Sequence, residues 1–211
     1  MMKIAILGAT GWIGSTITAE AKARGHEVIA IVRDPAKITA EGISSRKFDL
    51  NSSASFADAA KGADVVIAAI GARANGEHAL VAKTAERLLT SLAGTEQRLL
   101  WVGGAGSLEV APGMVLVSSP DFPADYKDEA LAQGEALAVF RETKHATQWT
   151  FISPAAQIYP GPSEGAFRIG GDTFFTNSDG ESKISVTDYA KAMLDEAENA
   201  AHVNQRISVA Y

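Results

Sequence analysis

The chain has no cysteine. That absence excludes disulfides, thiol catalysis and cysteine-ligated zinc. Histidine is scarce as well: His26, His78, His145 and His202 are scattered, with no pair at metal-ligand spacing, so no metal is expected. Long apolar runs are missing. The longest, Val65 to Ile70, is far too short to span a membrane. Gly8 to Gly14 interrupts the apolar N-terminus too early for a signal peptide, and no small-residue cleavage pattern follows, so a cytoplasmic protein is expected. Basic excess is lacking too. A net charge of −6 argues against nucleic acid as a main partner. The 211 residues, 46% of them hydrophobic and 21% charged, fit one α/β domain covering 1–211.

What is present begins at the third residue. Lys3–Leu7 reads as a buried strand and runs into Gly8-Ala9-Thr10-Gly11-Trp12-Ile13-Gly14 before a helix pattern over Ile13–Arg24. A strand that breaks into glycines and restarts as a helix brings free N–H groups and a helix dipole to one point, which suits a dinucleotide pyrophosphate. In this Gly-x-x-Gly-x-x-Gly spacing, Gly8 makes the turn, Gly11 admits the phosphates and Gly14 lets the helix pack on the strand.

Strand and helix patterns then alternate. Strands are expected at Glu27–Val32, Arg46–Phe48, Asp64–Ile70, Arg98–Val102 and Trp149–Ser153. A short helical turn capped by Asp34 should open at Pro35. Helices are expected from Ser52 or Ser53 through Ala60, over Glu77–Leu92 with Leu80, Ala85, Leu88, Leu89 and Leu92 near one side, and over Tyr126–Glu142. Between Gly103 and Ala124 lies a glycine- and proline-rich loop, a kind that is usually functional. The remainder, 155–211, reads as a substrate-side part with a strand at Thr173–Thr176, a helix over Thr187–Glu198 capped by Ser185-x-x-Asp188, and a strand at Arg206–Ala210. The alternation implies a Rossmann-type, doubly wound parallel sheet with helices on both faces and a small C-terminal addition. Ligands bind such sheets outside the carboxyl ends of the strands.

At those ends, Arg33 stands where NAD-selective enzymes usually carry an acidic residue. A guanidinium there matches a 2′-phosphate, Lys37 can add charge, and NADPH is the favoured cofactor. Asp34 could face the ribose instead, which leaves NADH open. Asp49 could accept from the adenine amine with Leu50 on the ring, or be a turn residue. Small residues at Ala69-Ile70-Gly71 suit a strand passing close under a cofactor. None of Tyr126, Tyr159, Tyr189 and Tyr211 has a lysine four residues on, and Gly103-Gly104 stands where a catalytic serine often ends the fifth strand. Ketone reduction by a Tyr-x-x-x-Lys pair is therefore disfavoured. A positioned hydride donor with an acceptor such as a flavin or quinone remains.

The chain as a whole resembles an atypical short-chain dehydrogenase/reductase, closest to the NADH-flavin reductase subgroup, kin to biliverdin reductase B and NmrA-like proteins. The resemblance rests on Lys3–Gly11, Trp149–Ala155, Pro160-Gly161, Gly180-x-Ser182-x-Ile184-Ser185-x-x-Asp188-Tyr189-Ala190 and Asp195–Glu198. It implies that Gly8, Thr10, Gly11, Trp12 and Ile13 hold the pyrophosphate and Arg33 the adenosine phosphate. It also implies that Ala69–Gly71, Val102-Gly103 and Pro154 line the ribose and nicotinamide. Ser107 and Tyr126 are candidates to orient a substrate, or else a helix cap and a packed ring. Two functions follow: an NAD(P)H-dependent reductase acting on a flavin or other small-molecule acceptor as a monomer or homodimer, or a non-catalytic NADP(H)-sensing regulator of NmrA-like type.

Overall fold

β-Branched and aliphatic runs supply the strands, and the glycines between them supply the turns. The computed structural model describes residues 1–73 and 76–211. In chain order the elements are β1 (Lys3–Leu7), α1 (Trp12–Ala23), β2 (Glu27–Val32), β3 (Ile43–Lys47), α2 (Phe56–Ala60), β4 (Val65–Ala68), α3 (Ala79–Ser91) and β5 (Arg98–Val102). They continue with β6 (Glu109–Ala111), β7 (Met114–Val115), α4 (Ala124–Glu142), β8 (Gln148–Pro154), β9 (Gln157–Tyr159), β10 (Arg168–Gly170), β11 (Lys183–Ser185), α5 (Val186–Asn199) and β12 (Gln205–Ala210).

One eight-stranded sheet runs in the order β3-β2-β1-β4-β5-β8-β12-β10. All its pairings are parallel except that of the edge strand β10, which runs against β12. The order reverses between β1 and β4, which places the ligand crevice of a doubly wound sheet at their carboxyl ends. Each face carries its own core. Ile17 and Ala21 of α1 pack with Tyr189 and Met193 of α5 over one face, and Phe56, Leu88 and Phe140 of α2, α3 and α4 cover the other. No helix among the described residues is long and apolar enough to cross a membrane.

Several expected boundaries move. β3 begins at Ile43 rather than Arg46, because Ser44 and Ser45 pair with β2 at the sheet edge despite their polarity. α2 starts after Ser55, whose hydroxyl accepts from Asp58 N–H (3.2 Å), while Ser52 is spent on a turn at Asp49. In α3 the buried face is Val81, Thr84, Ala85, Leu88 and Leu89, and Leu80 sits half-buried beside it. The strand expected at Thr173–Thr176 reduces to a single bridge between Thr173 and Glu109. That bridge ties the β6–β7 hairpin of the glycine-rich loop to the C-terminal part through Glu109 N–H to Asp172 O (2.9 Å) and Phe174 N–H to Glu109 O (2.8 Å).

Asp188, fully buried at the start of α5, organises the C-terminal part. Its amide completes the expected cap by donating to Ser185 Oγ (3.1 Å). Its carboxylate accepts from Ser163 Oγ (2.6 Å), Glu164 N–H (2.7 Å) and Tyr211 Oη (2.7 Å), with Lys191 Nζ at 3.2 Å.

Candidate functional site

The crevice is floored by the turn after β1. Gly8 has φ +84°, and a Cβ there would stand 2.2 Å from the carbonyl oxygen of Ala69. A Cβ at Gly14 would stand 2.1 Å from the carbonyl oxygen of Gly8, so both positions admit only glycine. Gly11 differs. Its backbone is ordinary extended chain, and the one atom near its missing Cβ is Gly8 O, 3.3 Å away. It caps α1 without a side chain, so the first N–H groups of the helix, at Trp12, Ile13 and Gly14, have no side-chain acceptor. An uncapped helix start over a glycine turn is a fit for a pyrophosphate. Thr10 and Trp12 are exposed beside it.

Arg33 and Lys37, after the end of β2, are exposed, and among the described residues neither side chain makes an ion pair. Asp34 caps the short helical turn, its Oδ1 accepting from Ala36 N–H (3.1 Å). Asp49 also acts as a turn residue, with Oδ1 accepting from Asn51 N–H (2.9 Å), while Leu50 is half-buried against the core.

Beyond β4, Ala69, Ile70 and Gly71 form the lip next to Gly8, and Val102, Gly103 and Pro154 close the row at the ends of β5 and β8. The glycines after β5 have a packing reason. A Cβ at Gly103 would lie 2.1 Å from the Phe151 ring, and one at Gly104 would lie 3.1 Å from Gln133. No serine can stand at 103 without displacing Phe151.

Ser107 and Tyr126 are not brought together. Ser107 lies beside Gly134 of α4, with its carbonyl accepting from Arg206 Nη2 (3.0 Å) at the level of β12. Tyr126 is exposed in the first turn of α4, with the Arg73 guanidinium 4.8 Å from its ring centroid.

A polar chain that reading by motif missed runs under the β4 lip. Trp101 Nε1 donates to Gln133 Oε1 (3.0 Å), which orients the amide so that Nε2 donates to Ile70 O (3.2 Å) and Glu129 Oε1 (3.1 Å). Glu129 Oε2 accepts from Ala72 N–H (2.8 Å), and a Cβ at Gly71 would stand 2.9 Å from Oε1. Glu129-x-x-x-Gln133 shares the four-residue spacing of a Tyr-x-x-x-Lys pair, and that spacing was visible in the sequence.

A family model described as NAD(P)H-binding matches residues 8–200. Protein YwnB of Bacillus subtilis (strain 168) is 41% identical over 212 residues, covering 99% of this chain and 98% of its own. Two solved structures superpose along the whole chain. The "putative NADH-flavin reductase" of Streptococcus pneumoniae TIGR4 has a TM-score of 0.90 at 40% identity, covering 100% of this chain and 99% of that one. A "putative exported protein" of Burkholderia pseudomallei has a TM-score of 0.89 at 43% identity, covering 100% of both.

Proposed function

The chain belongs to the NAD(P)H-binding family, within the atypical short-chain dehydrogenase/reductase-like group, and on that premise we propose that it is an NADPH-dependent reductase of a flavin or similar conjugated acceptor. The observation that carries the cofactor assignment is the uncapped start of α1 over a turn where Gly8 and Gly14 are sterically required and Gly11 sits exposed at the cap. Trp12, Ile13 and Gly14 offer their N–H groups to the pyrophosphate, and Arg33 with Lys37 takes the 2′-phosphate. The Ala69–Gly71 lip, Val102-Gly103 and Pro154 orient the ribose and nicotinamide. Residues 155–211, braced by Asp188, form the acceptor side of one functional unit.

When bound, the reduced cofactor supplies a hydride. The chain's part is to place donor and acceptor face to face, which supplies most of the rate for an acceptor open to direct hydride attack. The S. pneumoniae relative's name supports this acceptor class. NADPH oxidation measured with no acceptor, FMN, FAD and a quinone tests the proposal. Acceptor-dependent oxidation is expected; tight cofactor binding with no oxidation by any of them would replace the reductase with an NADP(H) sensor.

A further inference from the structure

Glu129 faces more than the backbone of the β4 lip. Its Oε2 also lies 3.6 Å from Nδ1 of His78, the residue that precedes α3. That Nδ1 is buried and makes no hydrogen bond among the described residues, while the side chain as a whole is 29% exposed. The exposure belongs to the rest of the side chain, not to Nδ1. A carboxylate near the buried nitrogen of a partly exposed imidazole is an arrangement in which the ring passes protons. The 3.6 Å separation is longer than a hydrogen bond, and such pairs often close only once ligands are bound. Gln133 and Ala72 hold the two Glu129 oxygens in place, and Trp101 fixes Gln133 in turn. The pair thus sits against Gly71, on the lip assigned to the nicotinamide end.

The geometry points to His78 as the proton donor of the reduction, with Glu129 as the residue that positions its ring. The inference rests on the reductase reading above. Hydride arrival gives a flavin-type acceptor two electrons and one hydrogen, and leaves it one proton short. The Nε2–H bond of protonated His78 then breaks, its electron pair stays on the ring nitrogen, and the proton joins the reduced acceptor. Water returns a proton to the neutral ring.

The full chain with NADPH and FMN as probes provides the test. His78→Gln should lower kcat by about a hundredfold with KM for NADPH unchanged. Glu129→Gln keeps an oxygen for Ala72 N–H but loses the charge, and should lower kcat about tenfold at unchanged KM. Imidazole in the buffer should restore turnover to His78→Gly, which a folding defect would not allow. A readout free of turnover is the ring NMR signals of His78, identified by their loss in His78→Gln. They should move on NADP⁺ addition, while those of His145 and His202, which precede β8 and β12 at the opposite strand ends, stay still. Unchanged kcat in His78→Gln, no rescue by imidazole, or His78 signals unmoved at saturating NADP⁺ would overturn the assignment and leave the reductase reading intact. An unaltered protein that neither binds nor oxidises NADPH would overturn both.

Discussion

Gly14 rests on the carbonyl of Gly8 so closely that a Cβ at position 14 would stand 2.1 Å from that oxygen. Both atoms belong to backbone, so neither can swing aside. Gly14→Ala should therefore destabilise the fold, by about 3 kcal/mol. Gly11→Val should cost less, since the backbone there suits any residue and the one close atom, Gly8 O at 3.3 Å from a Cβ, has to give by only a few tenths of an ångström. That variant should stay folded, melting above Gly14→Ala, yet fail to bind NADPH, because its side chain fills the phosphate approach. Thermal melts and a dinucleotide titration separate the two. Trp12, 48% exposed at the start of α1 while Trp101 and Trp149 are buried, is the natural fluorescent reporter of binding.

Arg33 should decide between the two nicotinamide cofactors. Asp34 is engaged in capping Ala36, whereas Arg33 is exposed and, among the described residues, without an ion pair. NADPH should bind more tightly than NADH, and Arg33→Ala should weaken NADPH alone by about 1–3 kcal/mol, the scale of one charge-assisted contact. Equal titration curves for the two cofactors in the unaltered protein would contradict this.

Neither Ser107 nor Tyr126 should be indispensable. Ser107 lies against Gly134 beside α4, and Tyr126 is stacked under Arg73 at the surface. Ser107→Ala and Tyr126→Phe should each keep at least a tenth of the unaltered turnover, a barrier change below about 1.4 kcal/mol. A collapse of about a hundredfold in either, with cofactor affinity unchanged, would mark that residue as the general acid.

Asp188 should set the acid limit of stability. Burial alone would raise its pKa, but hydrogen bonds from Ser163, Tyr211 and Glu164 N–H, with Lys191, outweigh it and hold the carboxyl well below the usual carboxylate range. A depressed folded-state value contributes stability that is full above about pH 4, the ordinary carboxylate value, and is lost as pH falls below it. Asp188→Asn should cost about 3–5 kcal/mol near neutral pH and flatten this acid-side loss. Urea melts of both proteins across the acid range check the sign: a variant that lost stability in parallel with the unaltered chain below pH 4 would assign the effect elsewhere.

The parts legible in the sequence were the local ones. β1, β2 and β5 fall on the residues expected because apolar, β-branched runs end abruptly at glycine or charge. The glycine turn is likewise readable, because Gly8 and Gly14 meet within a few residues of chain. The N-terminal half of β3 was hidden because an edge strand tolerates Ser44 and Ser45. Thr173–Thr176 misled for the opposite reason: its composition suits a strand, but Phe175 is stacked under Arg168 (4.6 Å) and the segment makes a single bridge, at Thr173. The His78–Glu129–Gln133 group was out of reach because α3 and α4, some fifty residues apart, meet only once the sheet has formed beneath them. One half of it, the Glu129-x-x-x-Gln133 spacing, lies within a single helix.

The central claim is that the crevice at the β1–β4 strand ends holds NADPH for hydride transfer to a flavin. Its most direct measurement is NADPH consumption without oxygen, against a known amount of FMN and with the protein at catalytic concentration. Oxidation that stops when one NADPH has been used per FMN, and that is lost in Gly11→Val, is the predicted result. NADPH bound by the chain but left unoxidised however much FMN is present would contradict it.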